Sequence, residues 1–227
     1  MLKTDKNQDY KRMNFSCYAS EIKKNHWNQD IEIIQKLNEK YRKIIFGHIE
    51  PWSLIEKLAL CVDPTDKELY CTSQWIHTWQ VIENMEKENV KDEELIVTAI
   101  IHDLGKVLLL TDELPENIVC DNGIVGNYQE NIGWKNCITH WNHDEFVYMK
   151  FLNYLSNDYL WLIRYHSINI KSAYSYADDY DKRMIEKFLL PFSIHDKNTK
   201  SIYKIPKLNL EKYRKIIEKH LPRKIEI

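Results

Sequence analysis

Glycine and proline are scarce in this chain, with five and six residues among 227. So few turn formers beside abundant Ile, Leu, Lys and Glu argue against a strand-and-turn sandwich or barrel and favour an all-α fold. Charge of one sign is also missing: 32 basic residues face 34 acidic ones, a formal net charge of −2. That removes the electrostatic case for nucleic acid or an anionic membrane as partner and leaves a small molecule as the expected substrate. No apolar run approaches the roughly 18 residues of a membrane-spanning helix, and the opening MLKTDKNQDYKRMNF lacks an apolar signal core. A cytoplasmic protein is the expectation. Cysteines 17, 61, 71, 120 and 137 are odd in number, scattered and free of any CxxC pair, which suits reduced thiols in packing positions.

The chain is expected to be one domain over residues 27–227, preceded by a polar arm over 1–26 that is either extended or a short helix laid on the body and is assigned no chemistry. Apolar spacing predicts a first helix with Ile31, Ile34, Leu37, Tyr41, Ile44 and Ile45 on its stripe. A second runs from Glu50 to Cys61, with Pro51 in its first turn. Thr72 or Ser73 can cap a helix through Met85, and Asp92 can cap DEELIVTAIIHDLGKVLLL, whose nearly continuous apolar character makes it central. Residues 111–130 read as a long loop. Further helices are predicted from Gly133 to about Leu155, from Asp158 to Ile168, from Asp178 to Leu190 with an end before Pro191, and from Asn209 to His220.

The chemistry sits in His102-Asp103, two titratable residues inside the most apolar helix. Burying both is costly unless each has a partner, and a divalent metal satisfies both. Taken alone, the dipeptide fits equally a core histidine bonded to a backbone carbonyl. His77 in the preceding helix and Asp196 after the apolar stretch 188–192 shift the balance. One His, then His-Asp, then a distant Asp resembles the ligand order of the HD-domain superfamily, which consists mainly of phosphohydrolases. His143 in WNHDEF and His166 in IRYHS add two imidazoles, enough for a second metal if Asp103 bridges. Mixed imidazole and carboxylate ligation without thiolate suits iron or manganese. His26, His48, His140, His195 and His220 read as surface or supporting residues, and Glu145 as support rather than ligand.

In order, IHTWQ, IIHDLGKVL, WNHDEF, LIRYHS and PFSIHDKNTK resemble the myo-inositol oxygenase family over roughly residues 31–222. The resemblance implies an HD-domain-like helical bundle and a mixed-valent Fe(II)/Fe(III) pair. His77, His102 and Asp196 would hold one iron, His143 and His166 the other, and Asp103 would bridge. It further implies dioxygen as co-substrate and four-electron cleavage of a carbon–carbon bond in a cyclic polyol, myo-inositol to glucuronate, or in a related hydroxylated compound. Lys106 would stabilise the substrate oxygen as it loses its proton, and Lys200 and Ser167 would touch substrate. Asp121, in IVCDNGIVG, matches a hydroxyl contact, and Asp63 is preferred to Asp66 for another. Departures fall in the pocket loops: Cys120 replaces a glycine, the stretch before WNHDEF is short, and residues 168–180 lack the family's Trp-His-Thr-Gly-Gly character. These bear on substrate rather than metal. The rival is a metal-dependent phosphohydrolase, for which Arg164 and Lys171 would add to Lys106 and Lys200 the basic groups that a phosphate needs.

Overall fold

Helices make up nearly all the regular structure of the chain. The computed structural model describes the backbone of residues 6–43, 47–69 and 72–227, with side chains from residue 17 onward. The arm is a helix, α1 (Lys6–Trp27), which buries Ala19, Ile22 and His26 near its end. α2 (Ile31–Arg42) follows, capped by Asp30, whose carboxylate accepts from the Ile33 N–H at 2.9 Å. Its buried stripe is Ile34, Leu37 and Tyr41, as predicted, but Ile31, also expected on it, is exposed at the helix start. Ile44, Ile45 and Cys71 lie outside the described residues. A short strand β1 (His48–Ile49) leads into α3 (Pro51–Glu56), with Pro51 in the first turn, and a 3-10 turn at Lys57–Leu60.

α4 (Gln74–Lys87) starts after Ser73, whose side chain makes no capping bond. α5 (Glu93–Ile101) is capped by Asp92, which accepts from the Leu95 N–H at 3.0 Å. α5 is central as expected: Ile96 to Ile101 are all buried, and it packs against α4. The predicted continuous helix through Leu110 breaks at the His-Asp pair. Asp103 has φ −94° and ψ 7°, and the chain continues as a 3-10 helix, Leu104–Leu110.

The helix predicted from Gly133 begins only at His143. Residues 133–142 instead answer to distant partners. β2 (Ile124–Val125) pairs with β3 (Ile138–Thr139), the Trp134 N–H donates to Asp181 at 2.7 Å, and the Trp141 N–H donates to Gln29 at 2.8 Å. α6 (His143–Phe151) and α7 (Asn157–Tyr165) then pack on each other, and α7 also packs on α5. α8 (Ile170–Ala173) is a single turn, and α9 (Asp179–Met184) opens on a reciprocal capping box between Asp178 and Asp181.

Pro191 does not end this helical run. One π turn, Ile185–Leu189, restarts the helix as α10 (Leu190–Lys197), so that Pro191 occupies a first turn, where its missing N–H is no loss. α11 (Leu210–His220) and β4 (Ile225–Glu226) close the chain, and β4 pairs with β1, His48 opposite Glu226. No helix among the described residues is long and apolar enough to cross a membrane, and none of the cysteines there forms a disulfide.

Candidate metal centre

Five helix ends converge on a buried point. His77 lies in the first turn of α4, His102 caps α5, Asp103 is the first residue beyond it, His143 opens α6, His166 caps α7, and Asp196 is near the end of α10. All six are buried. The approach of α6 depends on Gly105: a Cβ there would lie 2.4 Å from the His143 carbonyl oxygen and 2.8 Å from its Cα. Only glycine lets the 3-10 segment and α6 close far enough for His143 to reach Asp103.

Asp103 sits between two groups. Its Oδ2 is 3.6 Å from His77 Nε2 and 3.5 Å from His102 Nε2, while Oδ1 is 3.0 Å from His143 Nε2 and 3.7 Å from His166 Nε2. Asp196 Oδ1 joins the first group, 2.9 Å from His77 Nε2 and 3.8 Å from His102 Nε2. Two sets, His77-His102-Asp103 and Asp103-His143-His166, each bring their ligand atoms within 4.8 Å of one another and could hold a metal ion.

Three of the imidazoles have their tautomer set from behind. Nδ1 of His102 donates to the Ala99 carbonyl at 2.7 Å, Nδ1 of His143 to Ile118 at 2.6 Å, and Nδ1 of His166 to Ile163 at 2.9 Å. That leaves each Nε2 lone pair aimed at the centre, the arrangement by which a metal-binding histidine is oriented. Both readings of His102 therefore hold together, since its backbone bond is what frees its other nitrogen. Nε2 of His102 is buried without a hydrogen-bond partner, a vacancy that a metal satisfies. Burial holds His102 down to about 3 against the pull of Asp103. Burial also opposes charge on His166, yet Asp144 and Asp103 push it up to about 9, so this side of the centre attracts positive charge. Burial works against ionised Asp103 too, but Lys106 and His102 hold it well below the usual carboxylate range. The donor set fits a pair of divalent or trivalent ions.

The centre opens into a cavity of about 430 Å³ lined by polar groups. Asp63, Lys106, Asp121, Ser167 and Lys200 all line it. Lys106 is buried, with Nζ 3.0 Å from Asp103 Oδ2, 3.1 Å from Asp63 Oδ2 and 3.2 Å from Gln74 Oε1. Burial disfavours its charge, but Asp103, Asp63 and Asp66 outweigh that and raise its pKa. Lys200 Nζ is 2.8 Å from Asp66 Oδ2, so Asp63 and Asp66 each serve one lysine and both face the cavity. Ser167 Oγ donates to Asp144 Oδ2 at 2.6 Å and accepts from the Asn122 N–H at 3.0 Å. It also accepts from Asn142 Nδ2 at 3.3 Å, so its proton and both lone pairs are engaged within the protein. Asp121 is exposed at the mouth.

Several participants carry no local signal. Asp144 is fully buried, and its unpaired Oδ1 lies 3.1 Å from His143 Nε2 and 3.7 Å from His166 Nδ1. In sequence it is indistinguishable from an ordinary acid in a helix first turn. Gln80, in the IHTWQ motif, uses its amide to hold the backbone of Ser201 and Lys204, directly after Lys200. The arm over 1–26, expected to be without chemistry, places Lys23 on the cavity wall, and Trp27 follows it there at the end of α1, while His26 bonds to the carbonyls of Glu116 and Asp121. Conversely, Arg164 pairs with Glu145 at 2.7 Å and Lys171 is exposed, and neither lines the cavity.

An all-helical fold carrying two adjoining His/Asp sets that share one carboxylate, open to a polar cavity, has the architecture of a helical metalloenzyme. The family described as Myo-inositol oxygenase matches residues 17–126 and 112–227, further toward both ends than the motifs alone reach, and the chain belongs to it. It is thus an enzyme of the oxygenase class. It is similar to Inositol oxygenase 1 of Arabidopsis thaliana, 27% identical over 89% of this chain and 77% of that protein. It is also similar to a probable inositol oxygenase of Oryza sativa subsp. japonica, 29% identical over 88% of this chain and 78% of that one. Inositol oxygenase of Sus scrofa is 24% identical over 63% of this chain and 62% of its own.

Proposed function

We propose that this protein is an iron-dependent inositol oxygenase that uses dioxygen to open a cyclic polyol, myo-inositol to glucuronate, in a four-electron oxidation. Support comes from the family and from one observation: the two oxygens of Asp103 face different histidine sets. His77, His102 and Asp196 would hold one iron, His143 and His166 the other, with Asp103 between them. Bound iron supplies the activation of dioxygen and of a chelated pair of substrate oxygens.

The side chains supply the rest. Lys106, charged and shielded from water, donates to the substrate oxygen in place of its longest and only neutral partner, Gln74 at 3.2 Å, and offsets negative charge as that oxygen loses its proton. Asp63 and Asp66 accept from ring hydroxyls, and Lys200, steered by Asp66, donates to one. Ser167 accepts from a hydroxyl beside His166 by giving up its long bond from Asn142 Nδ2, and Asp121 closes the contacts at the mouth. Lys106 and Lys200, the lysines nearest the centre, are each already matched by a carboxylate, an arrangement suited to a neutral, hydroxyl-rich ligand. Arg164 and Lys171, on which the hydrolase reading leaned, lie off the cavity, and the further lysines on its wall are Lys23, Lys67 and Lys197.

The test is to purify the protein with iron, count the metal, and follow oxygen uptake and phosphate release side by side. Oxygen uptake should depend on myo-inositol, with no phosphate released from phosphomonoesters. His143→Ala and His166→Ala should each lose one of the two ions that the paired sets can hold, and with it the oxygen uptake. Unchanged iron and turnover in both variants would sink the dinuclear assignment, and phosphate release without oxygen uptake would favour the hydrolase.

A further inference from the structure

Trp27 is out of keeping with the other tryptophans. Of the seven in the chain, Trp52, Trp79, Trp134, Trp141 and Trp161 are buried and Trp75 is partly so, whereas Trp27 is 47% exposed. Leaving so large an apolar ring half in water forgoes much of its burial free energy. The ring is nevertheless firmly seated. Its benzo edge rests on Gly123, where a Cβ would come within 2.6 Å of Cζ3 and 2.9 Å of Cη2. The His140 ring stands nearly perpendicular to it at 4.7 Å and the His26 ring at 5.4 Å. His26 and His140 are themselves buried and bonded to the loop carbonyls of Glu116, Asp121 and Gly123. The open part of this immobilised indole lines the same cavity as Asp103, Lys106 and Ser167.

Apart from Val119 and Cys120, the other side chains on that cavity's wall offer charge or hydrogen bonds. A ring polyol has two kinds of surface: an equatorial rim of hydroxyls, which those groups can read, and a flat face of axial C–H bonds, which they cannot. We infer that Trp27 is a specificity-determining residue, an aromatic platform that packs against the axial C–H face of a cyclic polyol held in the metal pocket. This rests on the polyol substrate proposed above and adds to it a preference for ring shape. Myo-inositol, with one axial hydroxyl, keeps one face entirely C–H. In scyllo-inositol both faces are entirely C–H, and in D-chiro-inositol each face carries an axial hydroxyl. Because the ring is already fixed, stacking on it costs little ordering.

Equilibrium binding of the three inositols to the iron-loaded protein, measured by titration calorimetry without oxygen, tests this. Wild type should bind scyllo- and myo-inositol more tightly than D-chiro-inositol. Trp27→Ala, with iron content as in wild type, should weaken the first two about five- to tenfold, the scale of an aromatic packing contact. It should barely change the third, so that the preference collapses, and Trp27→Phe should keep most of it. Gly123→Ala retains the indole but fills its seat, and should reproduce the loss of preference if Trp27→Ala fails to fold. A preference unchanged in Trp27→Ala and Gly123→Ala, an equal loss for all three ligands, or a wild type that binds the three alike would overturn the platform. Wild type binding none of them would instead overturn the polyol reading, and the platform with it.

Discussion

Lys106 is a buried cation between two buried carboxylates, Asp103 at 3.0 Å and Asp63 at 3.1 Å. Its removal has two effects that can be measured separately. Without it Asp63 keeps only the Thr65 N–H and hydroxyl, and Asp103 keeps only its histidine neighbours. Breaking a buried pair from one side costs on the order of 3 kcal/mol, so Lys106→Ala should unfold at a clearly lower urea concentration. Oxygen uptake should fall much further than any loss of folded protein, with both irons retained. A variant running at wild-type speed would end the substrate role assigned to this lysine. The meeting of the six candidate ligands and Lys106 was legible in the sequence because residue type and motif order carry it. Asp144 and Trp27 were not, because an acid in a helix first turn and an aromatic at a helix end are ordinary until distant segments are brought to them. That Asp63 and Asp66 both face the cavity was hidden for the same reason, since two lysines from separate segments each pair with one.

At the scale of elements, the contact between the 3-10 segment and α6 leaves no room for adjustment. A methyl group at position 105 would press on the His143 backbone, which cannot swing aside as a long side chain could. Gly105→Ala should therefore destabilise the protein by about 1–3 kcal/mol through overpacking. It should also displace His143 and deplete the iron held with His166 before the iron held by His77, His102 and Asp196. Metal analysis together with the thermal midpoint checks this, and a variant with full iron content would show that α6 yields more than its packing suggests. Helices with local determinants were read correctly from sequence: the Asp92 cap and the apolar run of α5, the Ile34, Leu37 and Tyr41 stripe of α2, and Pro51 in the first turn of α3. Errors came where a distant partner decides. The stretch 133–142 is held by β2, Asp181 and Gln29, and Pro191 is tolerated because a π turn restarts the helix ahead of it.

Across the whole molecule, one histidine ties the N-terminal helix to the loop over the centre. His26 is fully buried at the end of α1, with Nδ1 2.8 Å from the Glu116 carbonyl and Nε2 2.9 Å from that of Asp121. A neutral imidazole can donate to only one of them, so the second carbonyl favours protonation. Burial is the larger influence, and with His140 alongside it holds His26 down to about 4, against 6.5 for an unhindered histidine. The folded form therefore binds fewer protons than the unfolded chain between these values. Stability should be fully present above about pH 6.5 and fall as the pH drops toward 4, by as much as roughly 3 kcal/mol. Urea midpoints across that range check the sign, and His26→Gln should remove this share of the slope. Because α1 carries Lys23 and Trp27 to the cavity wall, the same acid range should loosen the cover of the pocket before the rest unfolds. Amide exchange along residues 17–27 should then rise at pH 5 while α5 stays protected. Stability that rose as pH fell would mean that the two carbonyls, rather than burial, govern the ring.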